Sequence, residues 1–369
     1  MKYYIIAGES SGDLHGSNLM KALLARDPEA DIRFWGGDAM TAVGGTRVRH
    51  IKELSFMGFV EVVRHLRQVL GNISFCKKDI LQFRPDAIVY IDFPGFNLRI
   101  AKFAHRKGFK NFYYISPQLW AWKKGRIKVM RRILDRLFCI LPFEEDFYAK
   151  NNFPQASYVG HPLLDAIANP TSPTSPTNDK PIIALLPGSR RQELANTMPN
   201  MLWLAAQHPE YDFVIAGMKV LGEEIYSRYG ALPPNVTIRY NQTYQILSNS
   251  HAAVVCSGTA TLETALFNIP QVVCYKANPL SIAIARWFVG NRVRFISLVN
   301  LIADRPIVRE LLQQDFNHLE LDAEFARITK DSAYRDLMCE GYAEVRRILG
   351  GQGASRRVAD AIINSISNQ

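Results

Sequence analysis

Metal-binding and disulfide patterns are missing from this sequence. Its five cysteines, Cys76, Cys139, Cys256, Cys274 and Cys339, include no C-x-x-C pair. They lie far apart, three of them inside apolar runs, so they read as reduced core thiols and not as a disulfide framework or zinc site. The eight histidines offer no H-x-x-x-H pair and no two aspartates stand as D-x-D, so no metal ligand set is expected. No apolar run approaches the ~20 residues needed to span a bilayer. The opening MKYYIIAGES has one basic residue and an apolar stretch too short for a signal peptide; it reads as a first strand of a cytoplasmic protein. The glycines after that strand are not spaced G-x-G-x-x-G, which argues against a dinucleotide-binding oxidoreductase.

What is present fits two globular domains. The chain has 369 residues, 48% hydrophobic and 21% charged, too long for one ordinary core and too apolar for disorder. Its net charge of +10 favours an anionic partner: nucleic acid, a phospholipid surface or a phosphorylated substrate. Strand-like runs at 2–8, 31–37, 86–92, 111–117, 136–142 and 156–162 alternate with helical periodicity, which predicts a doubly wound α/β domain around a parallel sheet. ANPTSPTSPTND at 168–179 has the composition of an extended linker. A second series follows at 181–188, 211–217, 235–240, 251–258 and 270–275. The expected division is a domain at 1–167, a linker at 168–180, a second domain at 181–345, and a final helix at 346–369. Val358, Ile362 and Ile366 give that helix one apolar stripe, which should cross back to the first domain. Two such domains predict a ligand cleft between the carboxyl edges of their sheets.

Several strand-to-helix turns carry polar groups suited to chemistry. Gly8-Glu9-Ser10-Ser11-Gly12-Asp13 opens the first helix, where Ser11 and Asp13 face the substrate side, or the turn is an ordinary one with Asp13 or Ser17 capping the helix. Leu186-Pro187-Gly188-Ser189-Arg190 offers free backbone N–H groups and a guanidinium to an anion, unless it is an ordinary βα turn. Ser257-Gly258-Thr259-Ala260-Thr261-Leu262-Glu263 presents a second anion-ready helix start. Glu263 lies one turn further in, placed for two ribose hydroxyls or merely favourable to the helix dipole. Two such turns in one domain favour a nucleoside diphosphate. In Ile91-Asp92-Phe93-Pro94-Gly95-Phe96-Asn97, Asp92 ends a buried strand, where a general base projects, unless it only caps the loop. Trp120 to Arg132 makes a cationic helix with indoles at its start. In 56–70, Phe59, Val62, Val63, Leu66 and Leu70 share one side, as a core helix or a membrane contact.

Together these motifs resemble the bacterial lipid A disaccharide synthases. The residues that carry the resemblance are GESSGD (8–13), FMGFVEV (56–62), IDFPGFN (91–97), YISPQLWAW (114–122), LPFE (141–144), GHP (160–162), LLPGSR (185–190), SGTATLE (257–263) and SLVNLIA (297–303). The resemblance implies a GT-B fold and a metal-independent inverting transferase that needs no cofactor. It implies transfer of 2,3-diacylglucosamine from its UDP derivative to O6 of 2,3-diacylglucosamine 1-phosphate. Asp92 is then the base, with Asn97, Ser11 and Asp13 on the acceptor side. Gly188, Ser189, Arg190, Ser257, Gly258, Thr259, Glu263 and Asn300 serve the nucleotide and sugar. It also implies peripheral attachment to an anionic inner-membrane surface. Self-association as a homo-oligomer stays open. Gly95 stands where the family commonly has a second aspartate, and Val299 where it has a proline. The rivals are a UDP-N-acetylglucosamine 2-epimerase of the same fold and, less well matched, a nucleic-acid-binding protein, for which no motif is present.

Overall fold

The computed structural model describes residues 1–53, 66–120, 125–167, 180–277 and 294–367. The linker stretch 168–179, the apolar residues Phe59, Val62 and Val63, and residues 121–124 lie outside these. The chain forms two compact units, Met1–Ala168 with Gly351–Gln369, and Asn169–Gly350.

The first unit is built on seven parallel strands in the order β3-β2-β1-β4-β5-β6-β7. They are β1 (Lys2–Ala7), β2 (Asp31–Gly36), β3 (Thr46–His50), β4 (Ala87–Ile91), β5 (Lys110–Tyr114), β6 (Arg136–Cys139) and β7 (Ala156–Tyr158). Every residue of β4 is buried. Alternate side chains of the central strands feed two cores. Tyr4, Ile6, Ile88 and Tyr90 pack against Ile80, Ile100 and Met130 on one face. Tyr3, Ile5 and Val89 meet Leu19, Leu23, Val358 and Ile362 on the other. Burial on both faces is why these strands read as unbroken apolar runs. β3 has the sequence TRVRH and a half-exposed edge position, so no apolar run announces it.

The order reverses between β1 and β4, which pair in parallel. Such a switch point leaves an opening at the carboxyl ends of the strands. The second unit repeats the plan with six parallel strands in the order β10-β9-β8-β11-β12-β13. These are β8 (Ile182–Leu186), β9 (Asp212–Gly217), β10 (Val236–Tyr240), β11 (Ser250–Cys256), β12 (Gln271–Tyr275) and β13 (Glu310–Leu312). Here the reversal falls between β8 and β11.

The last helix, Ala354–Ser367, packs in the first unit against the helix Ser10–Arg26. Asp165 accepts from the N–H of Gly353 at 2.6 Å and of Ser355 at 2.9 Å, satisfying donors that a helix start leaves open. Arg357 Nε donates to the Val159 carbonyl at 2.7 Å. Val358 and Ile362 are fully buried.

Two histidines lie under this helix seam. His161 takes the Leu163 N–H on Nδ1, and its Nε2 is buried with no partner among the described residues. His15 likewise buries an unpartnered Nδ1. Burial, with the neighbouring His15, lowers His161 to about 3. Burial lowers His15 to about 4, partly offset by Asp165. Both are neutral in the folded state at pH 7, and unfolding frees them to protonate near 6.5. Protons therefore favour the unfolded chain, so this stability is complete above pH 6.5 and is lost as pH falls towards 4. Thermal unfolding should show Tm falling across that window, as each group costs stability at up to about 1.4 kcal/mol per pH unit. The drop should be shallower in His15→Leu, and a pH-independent Tm in the wild type would refute the assignment.

Candidate functional site

In the first unit the turns after β1 and β4 meet. Gly8 lies against Phe93 so closely that a Cβ would come within 2.4 Å of its ring, so only glycine fits. Ser11 is exposed in the first turn of its helix. Asp13 is not. It is buried, and its carboxylate accepts from Gly37 N at 2.7 Å, Ala39 N at 3.0 Å and Met40 N at 3.1 Å. Asp13 thus caps the helix Asp38–Val43 instead of facing an acceptor.

Asp92 stands half-buried at the carboxyl end of β4. It and Phe93 are consecutive left-handed residues, φ +44° and +49°, an arrangement that costs on the order of 1–3 kcal/mol per residue. The surroundings hold it. Asp92 N–H donates to the Tyr114 carbonyl at 3.0 Å, while the Asp92 carbonyl accepts from Tyr113 Oη at 2.5 Å. Asn97 Nδ2 donates to the carbonyls of Asp92 at 2.8 Å, Ile91 at 3.3 Å and Ile6 at 3.4 Å. Asn97 is fully buried and its Nδ2 is spent on the loop, while its Oδ1 is buried with no partner among the described residues, so the expected acceptor-side residue is a loop-holding one in this structure. What these bonds fix is the backbone that carries the Asp92 side chain. Two strands along, Glu144 Oε2 accepts from Leu141 N at 3.1 Å and Ile140 N at 3.3 Å. Burial pushes its carboxyl up to about 8. The LPFE motif gave no hint of that.

In the second unit β8 and β11 are neighbours, with Leu186 paired to Val255, so their following turns lie side by side. Gly188 has φ +111°, open to glycine alone at low cost. The N–H groups after it were expected to be free. Instead Glu193 Oε2 accepts from Ser189 N at 2.8 Å and Arg190 N at 3.2 Å, and Oε1 takes Arg190 Nη1 at 3.3 Å. This capping box starts the helix Arg191–Gln207. Arg190 is exposed.

The neighbouring turn is more open. Gly258 and Thr259 are exposed at the start of the helix Thr259–Leu266. Ser257 Oγ donates to the Ile296 carbonyl at 3.0 Å. Glu263 is half-buried and accepts from Tyr244 Oη at 2.9 Å. Burial raises its pKa, and the Tyr244 bond opposes the shift. Tyr244, which orients this carboxylate, carries no motif and was missed. Asn300 is again a correction. It is 1% exposed. Its Oδ1 accepts from Ile307 N at 2.8 Å and Val308 N at 3.0 Å. Its Nδ2 donates to the Val308 carbonyl and Glu310 Oε1, both at 2.9 Å. Asn300 and Glu310 fold the segment that Ser257 leans on, and neither presents a free group to a sugar.

Of the apolar side proposed for membrane contact, Leu70 is described, and it is 52% exposed on the helix Leu66–Phe83. On the helix Arg126–Ile133, Ile127, Met130 and Ile133 are buried while Lys128, Arg131 and Arg132 face outward. No described helix is long and apolar enough to cross a membrane.

Known proteins match this arrangement in fold and in sequence. A solved glycosyltransferase of kitacinnamycin superposes with a TM-score of 0.67 at 16% identity, covering 98% of each chain. A UDP-GlcNAc 2-epimerase from Neisseria meningitidis, solved with UDP-GlcNAc, gives 0.67 at 12% identity over 99% of this chain and 100% of its own. At these identities the likeness shows the two-domain GT-B fold alone. The sequence match is narrower. The lipid-A-disaccharide synthase of Trichlorobacter lovleyi is 34% identical over 374 residues, 98% of this chain and 97% of that one. The family model described as lipid-A-disaccharide synthetase matches residues 3–347, and so the chain belongs to the lipid-A-disaccharide synthetase family, glycosyltransferases of GT-B fold.

Proposed function

We propose that the protein transfers 2,3-diacylglucosamine from UDP-2,3-diacylglucosamine to O6 of 2,3-diacylglucosamine 1-phosphate, with inversion and release of UDP. Family membership supports the reaction class. One observation carries the residue assignment: in the turn after β4, Asp92 is a half-buried carboxylate on a backbone held in a costly left-handed form. Strain of that kind persists where surrounding bonds over-determine it, and it concentrates at functional sites. An acceptor hydroxyl has a pKa far above 7, so a base must take its proton as the new bond to C1 forms. Asp92 is that base. Ser11 is exposed in the first unit's first turn and serves the acceptor. Asp13 and Asn97 act by holding backbone.

UDP belongs to the second unit in this reading. The exposed amides at Gly258 and Thr259 and the Arg190 guanidinium stabilise the charge that grows on the leaving diphosphate. Glu263, oriented by Tyr244, accepts from ribose hydroxyls. Ser257 and Asn300 hold the adjoining loop. We also place the protein in the cytoplasm, peripherally on an anionic inner-membrane face, supported by exposed Leu70 and by Lys128, Arg131 and Arg132. An epimerase of the same fold would release UDP without an acceptor; dependence of UDP release on the added acylated glucosamine 1-phosphate separates the two.

Three outcomes are expected. Asp92→Asn keeps the fold and UDP affinity but loses on the order of 10²–10⁴ in turnover, along with the acidic limb of the pH profile; near-normal turnover would move the base elsewhere. Glu263→Ala weakens UDP binding by ~1.5–3 kcal/mol, measured by calorimetry on the folded variant; unchanged affinity removes Glu263 from the ribose. Replacing Phe59, Val63 and Leu66 by Ser reduces sedimentation with anionic liposomes while activity on detergent-dispersed substrate persists. If that variant unfolds instead, those side chains are core.

A further inference from the structure

The amide cradle after β8 already holds an anion, and that anion is the protein's own. Two backbone N–H groups and one guanidinium converge on the two oxygens of Glu193. A phosphate would accept from the same donor set, because backbone N–H groups and arginine bind carboxylate and phosphate oxygens alike. The fit is close on the carbon side too: a Cβ on Gly188 would lie 2.5 Å from Glu193 Oε2. A capping glutamate ordinarily satisfies amides alone; this one also takes up the Arg190 guanidinium. Its side chain is 21% exposed, so it can swing to solvent without disturbing the core. It also reaches the second turn electrostatically. After burial, Glu193 is the largest influence raising the Cys256 thiol, which ends β11 one residue before Ser257, and Arg190 opposes it.

We propose that Glu193 is a built-in competitor of the nucleotide diphosphate. Its carboxylate fills the Ser189–Arg190 cradle when no nucleotide is bound, yields it to a phosphate of the incoming UDP-sugar, and reclaims it as UDP leaves. The inference rests on the reading of the second unit as the UDP-binding one. A carboxylate and a phosphate oxygen cannot accept the same N–H hydrogens at full strength, and their like charges repel. The displaced carboxylate therefore subtracts from the affinity that the cradle alone would supply. Less of the binding energy is spent on the product, which shortens its stay.

The test is a set of titrations on the full chain. UDP, inorganic pyrophosphate and uridine are titrated into the wild type and into Glu193→Gln, which keeps the size and one acceptor but loses the charge. UDP and pyrophosphate should bind the variant about tenfold more tightly, the scale of one charge-assisted hydrogen bond. Uridine, which lacks phosphate, should bind both proteins alike. Unchanged or weaker UDP binding by Glu193→Gln overturns the proposal, as does an equal gain for uridine. If the wild type binds no UDP at all, the nucleotide reading fails with it, a result distinct from either. A second measurement needs no variant: UDP must shift the carboxyl ¹³C resonance of Glu193 in the wild-type protein. A resonance that stays in place overturns the proposal even if Glu193→Gln fails to fold.

Discussion

Each sheet of this protein must bury both of its faces, and most of what the molecule can do follows from that demand. Tyr3, Tyr4, Ile5, Ile6 and all of β4 are inaccessible to water, so a polar group along the central strands must find its partner inside the protein, as Tyr90 Oη does on Asn111. Fully burying an apolar side chain of this size is worth roughly 1.5–3 kcal/mol, and the parallel ladder satisfies the backbone in between. Polar chemistry is displaced to the strand ends. There the chain turns, the helix starts leave N–H groups unsatisfied, and glycine permits close approach, as Gly8 does beneath Phe93. Asp92, Arg190 and Glu263 all stand just beyond such ends.

Open helix starts need anions, and the protein answers repeatedly with carboxylates of its own. Asp13 serves the helix Asp38–Val43, Asp165 the last helix, Glu144 the helix Pro142–Lys150 and Glu193 the helix Arg191–Gln207. The bonds are alike and the environments are not. Asp13 and Glu144 are buried and fixed, whereas Glu193 lies partly in solvent beside an arginine. The same local motif is scaffold in the first case and an exchangeable occupant in the second. Burial, not residue type, makes the difference.

That distinction also marks how far the sequence could be read. The long strands were legible because apolar runs with β-branched and aromatic residues have few other uses, and the turn motifs announced which strand ends matter. β3 and β13 were not, since TRVRH and ELL carry no such run. Asp13, Asn97 and Asn300 sit inside motifs and look like substrate ligands. Only three-dimensional hydrogen bonding reveals that the Asp13 carboxylate, the Asn97 Nδ2 and the Asn300 amide are spent on Gly37, Ile91, Val308 and similar backbone groups. Tyr244 and Glu310 show the converse, because each acts through a neighbour distant in sequence and leaves no local pattern.

The last helix gives the first unit a history as well as a shape. Arg26 and Asp360, which pair across that helix, are 334 positions apart, and the whole second unit is synthesised between them. At ~5–20 residues per second, the seat of Val358 and Ile362 stays open to water for on the order of ten seconds or more on the ribosome. The second unit, continuous in the chain, can close its core during that interval. The unit that is begun first is therefore finished last, and its apolar seat is the surface a chaperone would have to shield.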